Sequence, residues 1–283
     1  MSVATLVRPG GLLRRVPMSA VDRTGSRRTS IARPARRVEH SGGDLRRGPV
    51  TTIVVIVPAR NEAANLPACL HSIDRAAAEW GGQVIVAVGL DSCTDGSARL
   101  VEQYRATAAT VVAVSGRWHG ASRARRAATQ VALAEAGVGA DHVWLANTDA
   151  DCVVPIDWLQ VQVAAAAAGA DVVLGTVDLD PTETPAALLA RFRSTYVVHG
   201  DAHPHVHAAN LGVRASAYAE LGGWRTSTLV GEEHRLVQRA RSRDLCVVTP
   251  VDLAVVTSSR LNSRVPGGFA TALAQHAGGA GDD

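Results

Sequence analysis

Lysine is absent from this chain: its 29 basic residues are all arginines, set against 26 acids, and the formal net charge over 283 residues is +3. With so much alanine and valine alongside, that bias reflects a GC-rich coding composition rather than a functional demand. Aromatic residues make up only 4%. Long apolar runs are missing as well. The longest, residues 161–175, is rich in alanine and is broken by Asp171, whereas a membrane span needs about 20 strongly apolar residues. Residues 3–13 are interrupted by Arg8, Pro9 and two glycines, so no apolar stretch of secretory length opens the chain. These absences set the expectation of a cytoplasmic protein with no integral membrane segment. Cys69, Cys93, Cys152 and Cys246 show neither CxxC nor zinc-ligand spacing, which predicts reduced thiols and no structural metal. No GxGxxG follows the first strand-like run, which counts against a dehydrogenase, and no glycine-rich basic loop follows it, which counts against a nucleotidyltransferase.

What is present is an apolar share of 47%, enough for a folded domain with a real core. Residues 1–49 differ from the rest: they hold eleven arginines against three acids, while the remainder holds eighteen against twenty-three. Their composition predicts a disordered basic extension, removable without loss of stability and without a nucleic-acid partner. From Thr51 the texture changes. The β-branched runs 52–57, 84–89, 110–114, 142–146 and 171–177 read as buried strands, and the alanine-rich stretches 66–79, 97–104, 121–136 and 156–168 read as helices between them. Strand and helix in repeated alternation predict an α/β fold, a doubly wound, mostly parallel sheet with helices on both faces. Further on, helices are expected near 185–196 and 231–242 and a strand near 246–256. One domain over 50–275 and a disordered tail over 276–283 complete the expected organisation.

Sheets of this kind bind ligands beyond the carboxyl ends of their strands, and four such places are polar. The first strand runs into Pro58, Ala59, Arg60, Asn61 and Glu62, a pattern that an ordinary Asn-capped turn also produces. The second ends at Asp91, with Thr94 and Asp95 suited to capping the next helix, leaving Asp91 to face the crevice. The fourth ends in Asp149-Ala150-Asp151, hard oxygen ligands suited to Mg²⁺ or Mn²⁺ together with substrate phosphates, although turns and caps give the same spacing. Glu232 and Glu233 open a late helix, where acids are favoured by the helix dipole and where one could also serve as a general base.

In this order the residues resemble the family 2 glycosyltransferases, inverting enzymes that use nucleotide-sugar donors on the GT-A fold. The resemblance covers about residues 52–270. It rests on Ile53 to Glu62, on Leu90 to Ser97, on Gly120 with Ala124 and Arg125, on Asp149 to Asp151, on Asn210 to Arg214 with Leu221 to Trp224, and on Glu232-Glu233 spaced before Leu236 and Arg239. It implies that Pro58, Ala59, Arg60, Glu62 and Asp91 line the nucleotide site, and that Arg125 and Arg260 meet the donor pyrophosphate. It further implies that Asp149 and Asp151 hold the metal, Asp151 directly. Glu233 becomes the expected base, with Glu232 as its rival.

The chemistry so implied is metal-assisted transfer from a UDP- or GDP-sugar to an acceptor hydroxyl with inversion; the acceptor is not specified. A catalytically inactive nucleotide-sugar-binding domain and a nucleotidyltransferase are the competing readings. His199, His203, His205 and His207 surround Pro204 at a spacing that fits no standard zinc site. They read as a loop on the acceptor side, able to titrate near neutrality. Trp118 and Trp224 suit either stacking on a ligand or core packing.

Overall fold

The computed structural model describes residues 3–7, 13–17, 47–194, 196–225 and 231–259. Two strands, β1 (Val3–Val7) and β2 (Leu13–Pro17), lie within the segment expected to be a disordered extension. β1 pairs antiparallel with a strand of the main sheet, from Val3 opposite Ser115 to Val7 opposite Val111, and β2 pairs with β1. For these ten residues the composition argument is corrected. An arginine-rich flank does not prevent a short β-branched run from pairing with an open sheet edge, where backbone hydrogen bonds supply the stability. Pro17 closes the outermost strand, the kind of position in a sheet where proline is tolerated.

The central strands are β3 (Thr52–Ala59), β4 (Gln83–Asp91), β5 (Ala109–Gly116) and β6 (Val143–Asn147). β3 is flanked by β4 and β6 in parallel register, and β5 continues beyond β4, also parallel. All eight residues of β3 are buried. Its alternate side chains serve two cores, as the period of two requires. Ile53, Val55 and Val57 pack with helix α1 (Leu66–Trp80), while Val54 and Ile56 pack with helix α3 (Ala121–Ala136). α1 opens with Pro67 in its first turn and stops at Gly81, whose left-handed φ of 75° suits glycine. Helix α2 (Ser97–Gln103) lies between β4 and β5. Gly89 marks the tightest approach of α3: a Cβ there would come within 2.8 Å of the Ala124 carbonyl oxygen.

Beyond β6 the parallel pattern breaks, as the sequence did not show. The short β7 (Cys152–Val153) precedes helix α4 (Trp158–Ala167). The single strand expected over 171–177 is two, β8 (Val172–Leu174) and β9 (Thr176–Leu179), in different sheets. They part at Gly175, where a Cβ would lie 2.2 Å from the Asn210 amide nitrogen. Helix α5 (Ala186–Ser194) follows. Then come β10 (Leu211–Arg214) and helix α6 (Ala215–Glu220). β10 inserts antiparallel between β6 and β8. Helix α7 (Glu232–Arg241) and the split pair β11 (Val247–Val248) and β12 (Ala254–Thr257) end the described chain. The large sheet has the order β11-β8-β10-β6-β3-β4-β5-β1-β2, and β7-β12-β9 forms a small second sheet. α1, α2 and α4 cover one face; α3, α6 and α7 cover the other. Among the described residues no helix is long and apolar enough to cross a membrane.

Candidate active site

The carboxyl ends of β3 and β4 are stitched to each other by side chains. Asn61, in left-handed backbone (φ 55°), accepts the amide N–H of Thr94 at 2.8 Å. It thus fixes the neighbouring loop instead of capping α1, whose N-cap is Asn65. Asp95 accepts from the amides of Ala63 (3.0 Å) and Ser97 (2.9 Å), and the Glu62 amide donates to Ser97 Oγ at 2.9 Å. Glu62 is 7% exposed and accepts from the Asn65 side chain at 2.7 Å. Pro58 and Ala59 are buried at the strand end, with Arg60 exposed beside them.

Asp91, expected to face the crevice, is 3% exposed and holds the loop after β5. One of its oxygens accepts from the Trp118 amide (2.7 Å) and the His119 amide (3.0 Å), the other from the Gly120 amide (2.8 Å), and Ser92 Oγ adds a fourth bond at 3.1 Å. Burial alone raises the Asp91 carboxyl; the amides of Trp118, Gly120 and His119 outweigh it and hold the group below the usual carboxylate range. The sequence identified the carboxylate but not its partners, which are backbone groups 27 to 29 residues away.

The centre of the site is Arg125 on α3, 3% exposed. Its Nη2 is paired with Asp149 at the end of β6, its Nη1 lies 3.7 Å from Glu232 on α7, and its guanidinium carbon lies 5.7 Å from the centre of the Trp224 ring. Three elements distant in sequence therefore converge on one cation. Trp224 is 1% exposed, which settles it as a core aromatic and as the surface beneath Arg125.

The acidic pair at the end of β6 is framed by backbone bonds. Thr148 donates its amide to Ile56 O (3.1 Å), and the Asp149 carbonyl accepts from the Cys152 amide (3.1 Å) and from Cys69 Sγ (3.4 Å). The Asp151 carbonyl accepts from the Ser258 amide at 3.2 Å, which draws the end of β12 up to the acidic loop. Cys69 and Cys152 lie beneath, 1% and 0% exposed. Among the described residues no group of three or more His, Cys, Asp or Glu side chains is arranged to hold a metal. Two carboxylates at a strand end still fit a hard cation that completes its shell with phosphate and water. Of the two, Asp149 is shared with Arg125.

On α7, successive side chains diverge by about 100°. Glu232 turns inward, 6% exposed beside Arg125. Its carboxyl is pushed up by burial, with Arg125 opposing. Glu233 stays partly accessible, and one of its oxygens lies 3.3 Å from His234 Nδ1. At the other end of the helix Arg239 donates to the Leu221 and Gly223 carbonyls at 3.0 and 2.8 Å. Arg260 lies outside the described residues.

The histidine loop is ordered by stacking, which its irregular spacing concealed. The rings of His203 and His205 are 5.6 Å apart, those of His205 and His207 6.0 Å, and Tyr196 lies 4.3 Å from His205. Tyr196 Oη accepts from the Val177 amide at 3.2 Å and meets His207 Nε2 at 3.1 Å. Asn210 is a structural residue: it accepts from Trp158 Nε1 (2.9 Å) and donates to the Thr176 and Leu253 carbonyls (both 2.8 Å).

Paired acids at a strand end, facing acids at a helix start across a buried arginine on a mixed, mostly parallel sheet, define a GT-A type domain. The family model described as glycosyl transferase family 2 matches residues 54–221, and the chain belongs to that family. Among solved structures, S. aureus TarS 1–349 in complex with UDP-GlcNAc is similar at a TM-score of 0.57 and 17% identity, over 77% of this chain and 61% of that one. The mannosyltransferase PcManGT from Pyrobaculum calidifontis, in complex with GDP-Man and Mn²⁺, is similar at a TM-score of 0.50 and 22% identity, again over 77% and 61%. This chain spans only 36% of the longer S. aureus TarS structure. No curated protein matches this chain.

Proposed function

We propose that the chain transfers a sugar from a UDP- or GDP-linked donor to an acceptor hydroxyl with inversion, in the cytoplasm. The observation that carries this reading is the convergence of Asp149 and Glu232 on Arg125, which sets the acidic strand end and the acidic helix start side by side. Support comes from the nucleotide sugars in complex with the two similar proteins, one of them with Mn²⁺.

In this mechanism Glu233 accepts the acceptor's hydroxyl proton as the oxygen attacks the anomeric carbon and the nucleoside diphosphate departs. A base must reach its substrate, and Glu233 keeps an accessible carboxylate where Glu232 is enclosed beside Arg125. Asp151, with Asp149 in support, would hold Mg²⁺ or Mn²⁺, which when bound neutralises charge growing on the leaving diphosphate. The loop of Trp118 to Gly120, fixed by Asp91, borders the donor crevice, along with Pro58, Ala59, Arg60 and Glu62. Arg125 or Arg260 would add a fixed cation for the same diphosphate.

Calorimetry of UDP, GDP and their sugars, with Mn²⁺ and with chelator, tests the reading, followed by product analysis for turnover. Metal-dependent binding with transfer or donor hydrolysis supports it. Binding with no turnover in the presence of any acceptor favours the inactive domain, and no binding of any nucleotide sugar overturns both.

A further inference from the structure

α7 is fastened at both ends. At its first turn Glu232 faces Arg125, which lies over the Trp224 ring. Two turns later Arg239 reaches back to the carbonyls of Leu221 and Gly223. These acceptors belong to the turn that delivers Trp224. Gly222 and Gly223 have φ of 74° and 65°, values that glycine adopts without strain, and a Cβ on Gly223 would press within 2.9 Å of Tyr218 Oη. Tyr218 Oη also accepts the Trp224 amide at 3.1 Å, and the two rings meet edge to face at 6.4 Å. The contacts therefore close a ring: from α7 through Arg239 to the glycine turn, on to Trp224, then Arg125, then Glu232 and α7 again. Asp149 is attached to the ring through Arg125.

We propose that Trp224 and Arg239 are positioning residues: through this closed ring they set the distance between the first turn of α7 and the acidic loop after β6. Neither touches reacting atoms. The inference rests on the proposed transfer reaction for its kinetic consequence and on the ring alone for its structural one. Burial accounts for Trp224 only as filler, and it does not account for Arg239 spending its fork on two carbonyls of the turn that carries that indole. A base and a metal motif on separate elements need such a tie, because displacement of a reacting group by about 1 Å can cost about 10²-fold in rate.

The test compares Trp224→Phe, Trp224→Leu and Arg239→Gln in the full chain. Hydrogen exchange at the amides of 232–236 is expected to speed up in Trp224→Leu and Arg239→Gln while β3 and β4 remain protected, with Trp224→Phe close to wild type. In turnover, kcat is expected to fall about tenfold or more in the first two, donor Kd to stay within about twofold, and Phe to restore most of the rate. In a double-mutant cycle, Trp224→Leu and Arg239→Gln should be non-additive, since each opens the same ring. Unchanged exchange at 232–236 in Arg239→Gln overturns the inference, as does a loss of donor affinity equal to the loss of kcat. If Trp224→Leu does not fold, Arg239→Gln and Trp224→Phe decide. Failure of the wild type to bind any nucleotide sugar would overturn the proposed function and leave the exchange result standing.

Discussion

Tyr196 and His207 are joined by a hydrogen bond at the end of a stack of imidazole rings. Tyr196 Oη accepts the Val177 N–H at 3.2 Å and meets His207 Nε2 at 3.1 Å. His205 Nε2 likewise accepts the Val197 amide at 3.1 Å. That ring is held as an acceptor, a role that an imidazolium cannot fill on the same nitrogen.

The first prediction is acid sensitivity. Burial first, then His205, His203 and His234, lower the His207 pKa to about 4 from the usual 6.5. Between those values the unfolded chain binds the proton and the folded chain does not, so stability is complete above about pH 6.5 and declines as the pH falls toward 4. The contribution is on the order of 3 kcal/mol. Denaturant titrations at pH 7 and 4.5 should show the decline, and His207→Gln should flatten it. An equally steep decline in that variant would place the sensitivity elsewhere.

Asp91→Asn should cost about 2 kcal/mol and loosen residues 117–120, because one of two carboxylate oxygens that accept backbone N–H groups becomes a donor facing them. Thermal melts measure the loss, and the exchange rates of the Trp118, His119 and Gly120 amides locate it. A melting point matching wild type would contradict the assignment of Asp91 as the anchor of that loop.

Glu233→Gln should reduce kcat by about 10²-fold with donor affinity unchanged, the pattern of a lost base. Glu232→Gln should instead weaken the seating of Arg125 and lower stability, because a buried guanidinium keeps only one of its two carboxylates. Loss of turnover in Glu232→Gln with full activity in Glu233→Gln would exchange the two roles. Asp151→Ala is expected to abolish the difference in nucleotide affinity between Mn²⁺ and chelator.

Deletion of residues 1–17 should lower the melting temperature, since it strips β1 from five residues of β5 and leaves the edge of a parallel sheet unpaired. Light scattering should show more self-association in the truncated chain. Full stability and a monodisperse truncation would mean that the pairing contributes nothing.

The parallel half of the fold was legible because both faces of β3, β4 and β5 are covered, so each reads as an unbroken β-branched run bounded by alanine-rich helices. The antiparallel half was not. β10 is four residues long, and the run after Asp171 looks continuous although Gly175 sends its halves into different sheets. Asp149, Glu232 and Arg125 were found individually, since strand ends and helix starts are visible in sequence. Their meeting was hidden, because an ion pair between residues 125 and 232 leaves no local pattern. The strand at Val3–Val7 was missed because composition averaged over 49 residues conceals a five-residue edge strand.

Beneath the acidic loop, Cys69 donates its thiol to the Asp149 carbonyl and Cys152 begins the strand that leaves Asp151, both sealed from solvent. Cys246, by contrast, is exposed at the far edge of the large sheet. The chain therefore carries its own clock for breathing of the site floor. Alkylation of Cys246 needs no rearrangement, whereas modification of Cys69 or Cys152 proceeds only as fast as β6, α1 and β7 come apart. The ratio of the slow to the fast labelling rate would report how firmly the loop bearing Asp149 and Asp151 is held, with no substrate required.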